Sequence, residues 1–251
     1  MRKLLVVVDY QNDFVGGALG FEKATTLDEG ISRKVQEYVR EGNPVIFTMD
    51  THYKCYLDTR EGRNLPVEHC IDGTEGWELY NKTKDVFENN IEQFKVIKKD
   101  VFGIAPYDAL QLMRSLNAYG EKNPIEEVEF VGVVTNMCVI SNAVVFQTIF
   151  PEATMVVDAS LCASFDEPLH EKALDVMESM QMRVINRYDL KQFKETLSSI
   201  GIETEDKSIV AVLSELSKVF STLPIKTAET IVKCMSKNNL SFAPMDEKLG
   251  D

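Results

Sequence analysis

The sequence predicts a three-layer, Rossmann-like α/β fold in which a mostly parallel sheet is flanked by helices on both faces. Between residues 3 and 185, short apolar runs alternate with amphipathic helical segments, which is the pattern of successive strand–helix–strand units. The runs are nearly continuous in apolar residues, as expected for strands buried on both faces. After about residue 200 only helical spacing remains. We therefore expect one domain over residues 1–195 and a C-terminal helical extension over residues 196–251.

Six apolar runs are the predicted strands, at residues 3–8, 44–49, 94–97, 128–134, 153–157 and 182–185. Helical spacing predicts helices between them, around residues 31–39, 110–116, 138–150 and 167–180. The stretch between the second and third strands is polar and has no predicted element. In the extension, helical spacing recurs at residues 209–220 and 231–235, and residues 241–251 are expected to be loosely held.

The composition and charge narrow the classes of function. The net charge of −13 and the pI near 4.8 argue against nucleic acid or an anionic membrane as a partner, because both require a basic surface. No apolar run approaches a membrane-spanning length, and the short N-terminal run fits a first strand better than a signal peptide. The five cysteines are odd in number and scattered, which indicates reduced thiols and a cytoplasmic location.

Four polar residues follow four of the predicted strands, namely Asp9, Asp50, Lys99 and Cys138. Ligands of open α/β sheets bind at the carboxyl ends of the strands, so these side chains are expected to meet in space. Cys138 begins a helix, whose N-terminus favours a thiolate nucleophile, and a desolvated Asp9 could accept a proton. Strand alternation sends only one of Lys98 and Lys99 inward. A structural cysteine, a turn-capping aspartate and a solvated lysine pair are the alternatives.

A second cluster of polar residues predicts a metal site. Asp50 and His52 are two residues apart at the end of a strand, so their side chains point the same way, and His69 follows in the polar stretch. One carboxylate and two imidazoles suit a divalent transition metal and leave coordination positions open. Histidines hydrogen-bonded within a long loop are the alternative. Further acidic candidates are Glu61 and Glu68.

Three aromatic residues could line a flat pocket beside these groups, namely Phe14, Phe102 and Trp77. Ordinary core packing is the alternative for aromatic residues near strand ends. Gly16-Gly17 reads as a flexible turn that could cover a ligand. The third histidine of the chain, His170, falls in an amphipathic helix and is expected at the surface.

Three motifs occur in order along the chain. They are Asp-Tyr-Gln-Asn-Asp-Phe-Val-Gly-Gly-Ala-Leu (9–19), Lys-Asp-Val-Phe-Gly (99–103) and Gly-Val-Val-Thr-Asn-Met-Cys-Val (132–139). Together they resemble the aspartate, lysine and nucleophile motifs of the cysteine hydrolase superfamily that contains isochorismatases and nicotinamidases. The resemblance covers about residues 1–190, and three ordered motifs are far more specific than any one of them. Lys99, rather than Lys98, matches by its spacing to Phe102.

The resemblance implies a role for each catalytic residue. Cys138 would attack the carbonyl carbon of an amide, Asp9 would handle protons for the thiol and the leaving ammonia, and Lys99 would position Asp9 and favour the thiolate. The oxyanion hole would use the backbone N–H groups of Val134 and Cys138. A non-proline cis peptide is expected between Val133 and Val134.

The resemblance also bears on the metal and the substrate. Asp50, His52 and His69 match the metal ligands of nicotinamidases, in which a divalent metal (Zn, Fe or Mn) holds the pyridine nitrogen, whereas isochorismatases generally lack this triad. The sequence departs from the family pattern at two places, and both bear on the identity of the substrate more than on the catalytic mechanism. Leu65-Pro-Val-Glu-His69 stands where the family often has Trp-Pro-x-His, and Asn136 stands where Asp is common.

The leading functional hypothesis is hydrolysis of nicotinamide to nicotinate and ammonia through a thioester, a reaction of NAD salvage, by a homo-oligomer. The runner-up is a related amidase or ureide hydrolase with another small substrate. An isochorismatase-type activity is disfavoured by the metal-ligand set. A catalytically silent scaffold is disfavoured because all three catalytic positions are filled, and a thiol redox protein because no resolving cysteine stands at motif spacing.

Overall fold

The computed structural model describes residues 2–116, 124–187, 190–203 and 209–237. The chain divides into two compact units, Met1–Ile185 and Asn186–Asp251. The domain boundary at residue 195 stays a prediction from the sequence, and residues 241–251 lie outside the described residues.

The first unit is built on a six-stranded parallel sheet. Its strands are β1 (Lys3–Val8), β2 (Val45–Asp50), β3 (Phe94–Lys99), β4 (Glu127–Val133), β5 (Thr154–Ala163) and β6 (Arg183–Ile185). Their order is β3-β2-β1-β4-β5-β6, so the direction of winding reverses between β1 and β4. Such a reversal opens a crevice at the carboxyl ends of the strands, where ligands of open α/β sheets bind. The predicted α/β fold is confirmed.

Within the described part of the first unit, eight α-helices connect or follow these strands. They are α1 (Asn12–Val15), α2 (Glu22–Thr25), α3 (Asp28–Arg40), α4 (Arg60–Asn64), α5 (Asn81–Asn89), α6 (Pro106–Ser115), α7 (Ile140–Ile149) and α8 (Glu167–Ser179). A π-helical turn, Thr135–Val139, joins β4 to α7. The polar stretch between β2 and β3, which had no predicted element, contains α4, α5 and three short 3₁₀ turns, Tyr56–Asp58, Glu75–Trp77 and Ile91–Gln93.

The continuous apolar character of the strands has a direct structural cause. Side chains of a strand alternate between the two faces of the sheet, and in β1 Leu4, Val6 and Val8 enter one apolar cluster whereas Leu5 and Val7 enter another. Both faces are therefore covered, and neither face of the strand tolerates a polar series. The polar residues that do occur are consequently displaced to the strand ends, where the crevice lies.

The second unit is helical. It contains α9 (Leu190–Ser199), α10 (Ile209–Val219), a 3₁₀ turn at Phe220–Thr222 and α11 (Ile225–Lys237). Helix α9 has no counterpart among the predicted elements, whereas α10 and α11 match them. The apolar cluster of the second unit draws on all three helices and includes Phe193, Leu197, Leu216, Ile231 and Cys234. Among the residues that the structure describes, no helix is both long and apolar enough to cross a membrane.

The absence of a side chain at Gly132 lets β4 approach β1 closely, and we expect its replacement to destabilise the fold. Its φ of +116° is a conformation that L-residues rarely adopt, and a Cβ there would overlap the carbonyl oxygen of Val8. Gly132→Ala is expected to lower the free energy of unfolding by about 3 kcal/mol or more, measured by urea denaturation. Gly42→Ala is the matched control, because Gly42 also has a positive φ but open space around it, and it should cost only about 1 kcal/mol. Equal losses would contradict the steric argument.

Candidate active site

The carboxyl ends of four neighbouring strands bring four buried polar side chains together. Asp9 follows β1, Asp50 ends β2, Lys99 ends β3 and Cys138 lies in the π-helical turn after β4. Lys99 Nζ lies 2.6 Å from Asp9 Oδ2, 3.3 Å from Asp50 Oδ1 and 3.6 Å from Cys138 Sγ. The four residues predicted to meet therefore do so, with Asp9, Asp50 and Cys138 around the ammonium group of Lys99.

The strand alternation of β3 separates the two adjacent lysines. The side chain of Lys99 is fully buried against Asp9. Lys98 points to the opposite face, where it forms an ion pair of 2.8 Å with Asp72 and lies 4.4 Å above the Trp77 ring. Only Lys99 can act on the buried cluster.

The charges in this cluster depend on burial and on Lys99. Burial raises the pKa of Asp9 above its ordinary value, although Lys99 opposes the shift. Burial disfavours the charge on Lys99, but the acidic groups of Asp9 and Cys138 raise its pKa well above the usual value, so the ammonium stays charged. The Thr48 hydroxyl donates a 2.7 Å hydrogen bond to Asp9 Oδ1, which fixes the orientation of this carboxylate.

The resting state of Cys138 differs from the sequence expectation. A helix N-terminus and Lys99 were expected to favour the thiolate, but burial raises the pKa of the Cys138 thiol well above its ordinary value, and Lys99 offsets this only in part. Desolvation disfavours the anion more than the nearby positive charge favours it. The thiol therefore needs a base during attack, and Asp9, which pairs with the same Lys99 ammonium, is the carboxylate available for this role.

The turn that carries Cys138 is held by main-chain and side-chain bonds. The Val133–Val134 peptide is cis, at the position that the resemblance implies. The carbonyl of Val134 accepts hydrogen bonds from the N–H groups of Met137 (3.0 Å) and Val139 (3.2 Å). These bonds fold the segment into the wide turn that brings Cys138 over the ends of β1 and β3.

His170 contradicts its predicted surface position. It is only 6% exposed, and its Nδ1 lies 2.8 Å from the hydroxyl of Thr135, the first residue of the π-helical turn. The Thr135 hydroxyl therefore supplies the polar partner that a buried imidazole needs. The partner lies 35 residues away in sequence, so helical periodicity could not reveal it.

The residues predicted to hold a metal lie beside the catalytic cluster. Single ligand atoms of Asp50, His52, Glu61 and His69 all lie within 4.8 Å of one another. Asp50 Oδ2 is 3.0 Å from His52 Nε2 and 3.4 Å from His69 Nε2. Of the two further acidic candidates, Glu61 joins the cluster, whereas Glu68 is exposed and is outside every described group of this kind.

The donor set of this cluster fits a divalent metal. The buried His52 Nε2 makes no well-formed hydrogen bond within the described residues, and such an orphaned buried nitrogen is costly unless something else satisfies it. His69 Nδ1 lies 2.7 Å from the Val67 carbonyl, to which it can donate, so that its Nε2 keeps a lone pair available to a metal beside Asp50. Although burial opposes ionisation, Lys99 and the histidines hold the pKa of Asp50 well below its usual range.

Gln11 supports Asp50 and escaped the sequence analysis. Its side chain is fully buried, accepts a hydrogen bond from the Asp50 N–H (2.7 Å) and donates to the carbonyls of Asp50 (2.9 Å) and Trp77 (2.7 Å). The end of β2 is thereby clamped at the residue whose two carboxylate oxygens face Lys99 and the histidines. Its position two residues after Asp9 in the first motif was the signal that could have marked it.

A small, mostly apolar cavity of about 120 Å³ adjoins both clusters. It is lined by Phe14, Leu19, Asp50, Glu61, Leu65, His69, Phe102, Val134, Met137, Cys138 and Phe165. Its volume lies below the roughly 300–1,000 Å³ of drug-sized ligand pockets, which favours a small substrate.

The cavity confirms part of the predicted aromatic lining. Phe14 and Phe102 line it as expected, whereas Trp77 is not among the described lining residues. The Trp77 indole N–H instead donates to the Thr51 hydroxyl (2.9 Å), a bond that turns the ring away. Phe165 lines the cavity without having been predicted, although it lies two residues after the end of β5 and the strand-end rule applied to the other residues would have found it.

Known proteins share the sequence pattern and the fold of this chain. The family model that matches is the isochorismatase domain, over residues 3–189. The nicotinamidase of Saccharomyces cerevisiae is 25% identical over 218 residues, which span 74% of this chain and 100% of that protein. The structure of nicotinamidase/pyrazinamidase PncA from Bacillus subtilis has a TM-score of 0.64 at 28% identity, covering 73% of this chain and 99% of that chain. The pyrazinamidase of Pyrococcus horikoshii in complex with zinc has a TM-score of 0.61 at 21% identity, covering 74% and 99% of the two chains.

The matched range contains the whole parallel sheet and all three motifs. It therefore includes both buried clusters and the residues that line the cavity, and it ends just before α9 begins. The resemblance drawn from the three motifs is confirmed: the chain belongs to the isochorismatase family.

Proposed function

We propose that this protein hydrolyses a small aromatic carboxamide with Cys138 as the nucleophile, and that nicotinamide is its substrate. The observation that carries the proposal is the junction of two buried clusters at one small cavity. Asp9, Lys99 and Cys138 form one cluster, and the histidines around Asp50 form the other. The names of the similar yeast and Bacillus subtilis proteins agree with this substrate.

The proposed reaction is a sequence of proton and bond changes. Cys138 Sγ attacks the amide carbonyl carbon while Asp9, which is held by the same Lys99 ammonium that lies 3.6 Å from the sulfur, takes the thiol proton. The negative oxygen that develops is stabilised by the backbone N–H groups of Val134 and Cys138. Asp9 then protonates the leaving nitrogen, so ammonia departs and a thioester remains. Water adds to the thioester with Asp9 as base, and the acid and the free thiol are released.

Lys99 would position the base and balance the negative charge during this reaction. Its ammonium lies 2.6 Å from Asp9 and 3.6 Å from Cys138, so it fixes the base beside the nucleophile and counters the negative charge that moves between them. Phe14 and Phe102 would hold a planar ring between them in the cavity.

Asp50, His52 and His69 would hold a divalent metal, with Glu61 as a further ligand. Zinc, iron and manganese all suit such nitrogen and oxygen donors, and the similar pyrazinamidase from Pyrococcus horikoshii is in complex with zinc. When bound, the metal supplies a Lewis acid that can coordinate the ring nitrogen of a pyridine carboxamide. His69 and Asp50 line the same cavity as Cys138, so a ring held by these residues would lie in the cavity that the nucleophile faces.

Release of ammonia from nicotinamide by the purified full chain tests the proposal. Turnover that is lost on replacing Cys138 and on removing metal with a chelator is the expected result. No release above the level of the Cys138 variant would reject a nicotinamidase, and turnover that survives chelation would remove the metal from the mechanism. A cytoplasmic location and a homo-oligomeric state remain predictions.

A related amidase or ureide hydrolase is the second candidate, because of Leu65. This leucine lines the cavity at the place where the family often has an aromatic side chain, so the wall it forms is less suited to stacking against a flat ring. Faster release of ammonia from a small non-aromatic amide or ureide than from nicotinamide would favour this candidate.

Replacing one proposed metal ligand should abolish stoichiometric metal binding. His69→Ala removes a buried nitrogen donor, and we expect it to weaken zinc affinity by at least about 100-fold, because even changes in residues that only orient ligands cost 10–100-fold. Metal content after dialysis, measured by atomic emission, checks this. Glu68→Ala is the matched control, since it alters the neighbouring exposed side chain and should leave metal content unchanged. Equal metal content in both variants would contradict the assignment.

A further inference from the structure

Asn142 joins two segments that the proposed reaction needs side by side. It lies in the first turn of α7 and is fully buried. Its Nδ2 donates to the carbonyl of Cys138 (2.8 Å) and to the carbonyl of Phe102 (3.0 Å), and its Oδ1 accepts from the N–H of Ile104 (3.0 Å). One side chain thus binds the main chain of the nucleophile turn and the main chain of the loop after β3.

The three bonds need the whole amide group. Two N–H donors and one carbonyl acceptor are in use, and a carboxylate in the same place would offer no donor to either main-chain carbonyl. The orientation of the amide follows from its partners, because exchanging Oδ1 and Nδ2 would set a donor against the N–H of Ile104. A helix needs none of this for its own stability, since two of the three partners are about forty residues away.

The loop that Asn142 holds carries the aromatic wall of the cavity. The ring of Phe102 lines the cavity but is 46% exposed, so packing alone does not fix it. Ile104 is buried in the core and anchors the far side of this loop. The bond to the Phe102 carbonyl is the contact that ties the exposed part of the loop to the turn bearing Cys138.

We infer that Asn142 is a positioning residue that sets the distance between the Phe102 ring and Cys138 Sγ, and so gives the site its selectivity for planar aromatic amides. The link to amide selectivity rests on the proposed function, whereas the positional claim does not. Without the hydrogen bonds of Asn142, the part of the loop that carries Phe102 should be free to move, while Ile104 stays packed in the core. Reagents that bind against the Phe102 ring should then react more slowly with Cys138, whereas reagents that need only the thiol should react at nearly the same rate.

Alkylation of Cys138 in the full chain tests this without turnover. The rate is measured by mass spectrometry of the Cys138 peptide with two probes, 3-(bromoacetyl)pyridine, which carries a planar ring, and iodoacetamide, which does not. For Asn142→Ala we expect the ratio of the two rates to fall about tenfold, as the loss of one good aromatic contact implies, with the iodoacetamide rate little changed. Asn142→Ser, which keeps one donor and one acceptor, should recover part of the ratio.

Tyr38→Phe is the matched control. It removes a hydroxyl that donates a hydrogen bond to the buried Glu129, away from the cavity, so it disturbs a buried polar contact without touching the loop, and its ratio should equal that of the wild type. An unchanged ratio in Asn142→Ala and Asn142→Ser, an equal fall in Tyr38→Phe, or a parallel fall of both rates would overturn the inference. Failure of the wild type to release ammonia from nicotinamide would reject the proposed function instead, and the alkylation ratio would still decide the role of Asn142.

Discussion

Cys138→Ala is expected to lower amide turnover by about 10⁴-fold or more, because no other thiol is among the described residues that line the cavity. Asp9 and Lys99 would still be paired after this change, so the fold and the metal site should persist. Release of ammonia and the free energy of unfolding, measured on the same preparation, check both statements.

Cys162→Ala is the control for this variant. Cys162 is buried in the same apolar cluster as Cys138, and its thiol lies 3.7 Å from the Phe130 carbonyl, away from the cavity lining. It should lose stability to a similar degree and keep its turnover. Residual turnover in Cys138→Ala comparable to that of Cys162→Ala would show that the nucleophile lies elsewhere.

Lys99→Met is expected to lower the free energy of unfolding by about 3–5 kcal/mol and to abolish turnover. The substitution keeps the length of the side chain but leaves Asp9 and Asp50 buried without their shared cation, and breaking a buried ion pair from one side carries a cost of this size. Urea denaturation measures the loss, and ammonia release measures the activity.

The pH dependence of that loss has a definite sign. The pKa of Asp9 is already raised by burial, and removing the positive charge of Lys99 raises it further. An aspartate with a higher pKa in the folded than in the unfolded state binds more protons when folded, so the stability of the variant should rise as pH falls through that pKa. A penalty that grows on acidification would contradict the electrostatic explanation.

Lys98→Met is the matched control, one residue away on the same strand. Its ammonium is exposed and pairs with Asp72, and surface ion pairs of this kind contribute about 0–1 kcal/mol. It should therefore leave stability nearly unchanged and turnover intact. Similar losses for the two lysines would contradict the argument that the buried ion pairs of Lys99 are what make its replacement costly.

The sheet and the main cluster were predictable because they follow from local patterns. A strand buried on both faces must be apolar along its whole length, so its end is where polar side chains appear, and parallel strands put those ends at one edge. This reasoning alone places Asp9, Asp50, Lys99 and Cys138 together, and alternation in β3 orients Lys99.

The features that were missed depend on partners distant in sequence. His170 looked like a surface residue because its inward position follows from the Thr135 hydroxyl, and Trp77 turned away from the cavity because it donates to Thr51. The protonated state of Cys138 depends on how deeply the turn is buried, which no local pattern reports. Gln11 and Asn142 act on main-chain groups, and such contacts leave no mark in hydrophobic spacing.

The carboxylate of Asp50 has a consequence for how the two halves of the site behave together. One oxygen lies 3.3 Å from the Lys99 ammonium and the other lies 3.0 Å from His52, so a cation bound beside the histidines and the ammonium draw on the same negative charge. Binding free energies are reciprocal: whatever occupancy by a metal does to the proton affinity of Lys99, the charge of Lys99 does to the affinity for the metal, by the same factor. Metal occupancy and the electrostatics of the nucleophile are therefore one coupled equilibrium, and a substitution in either half is felt in the other.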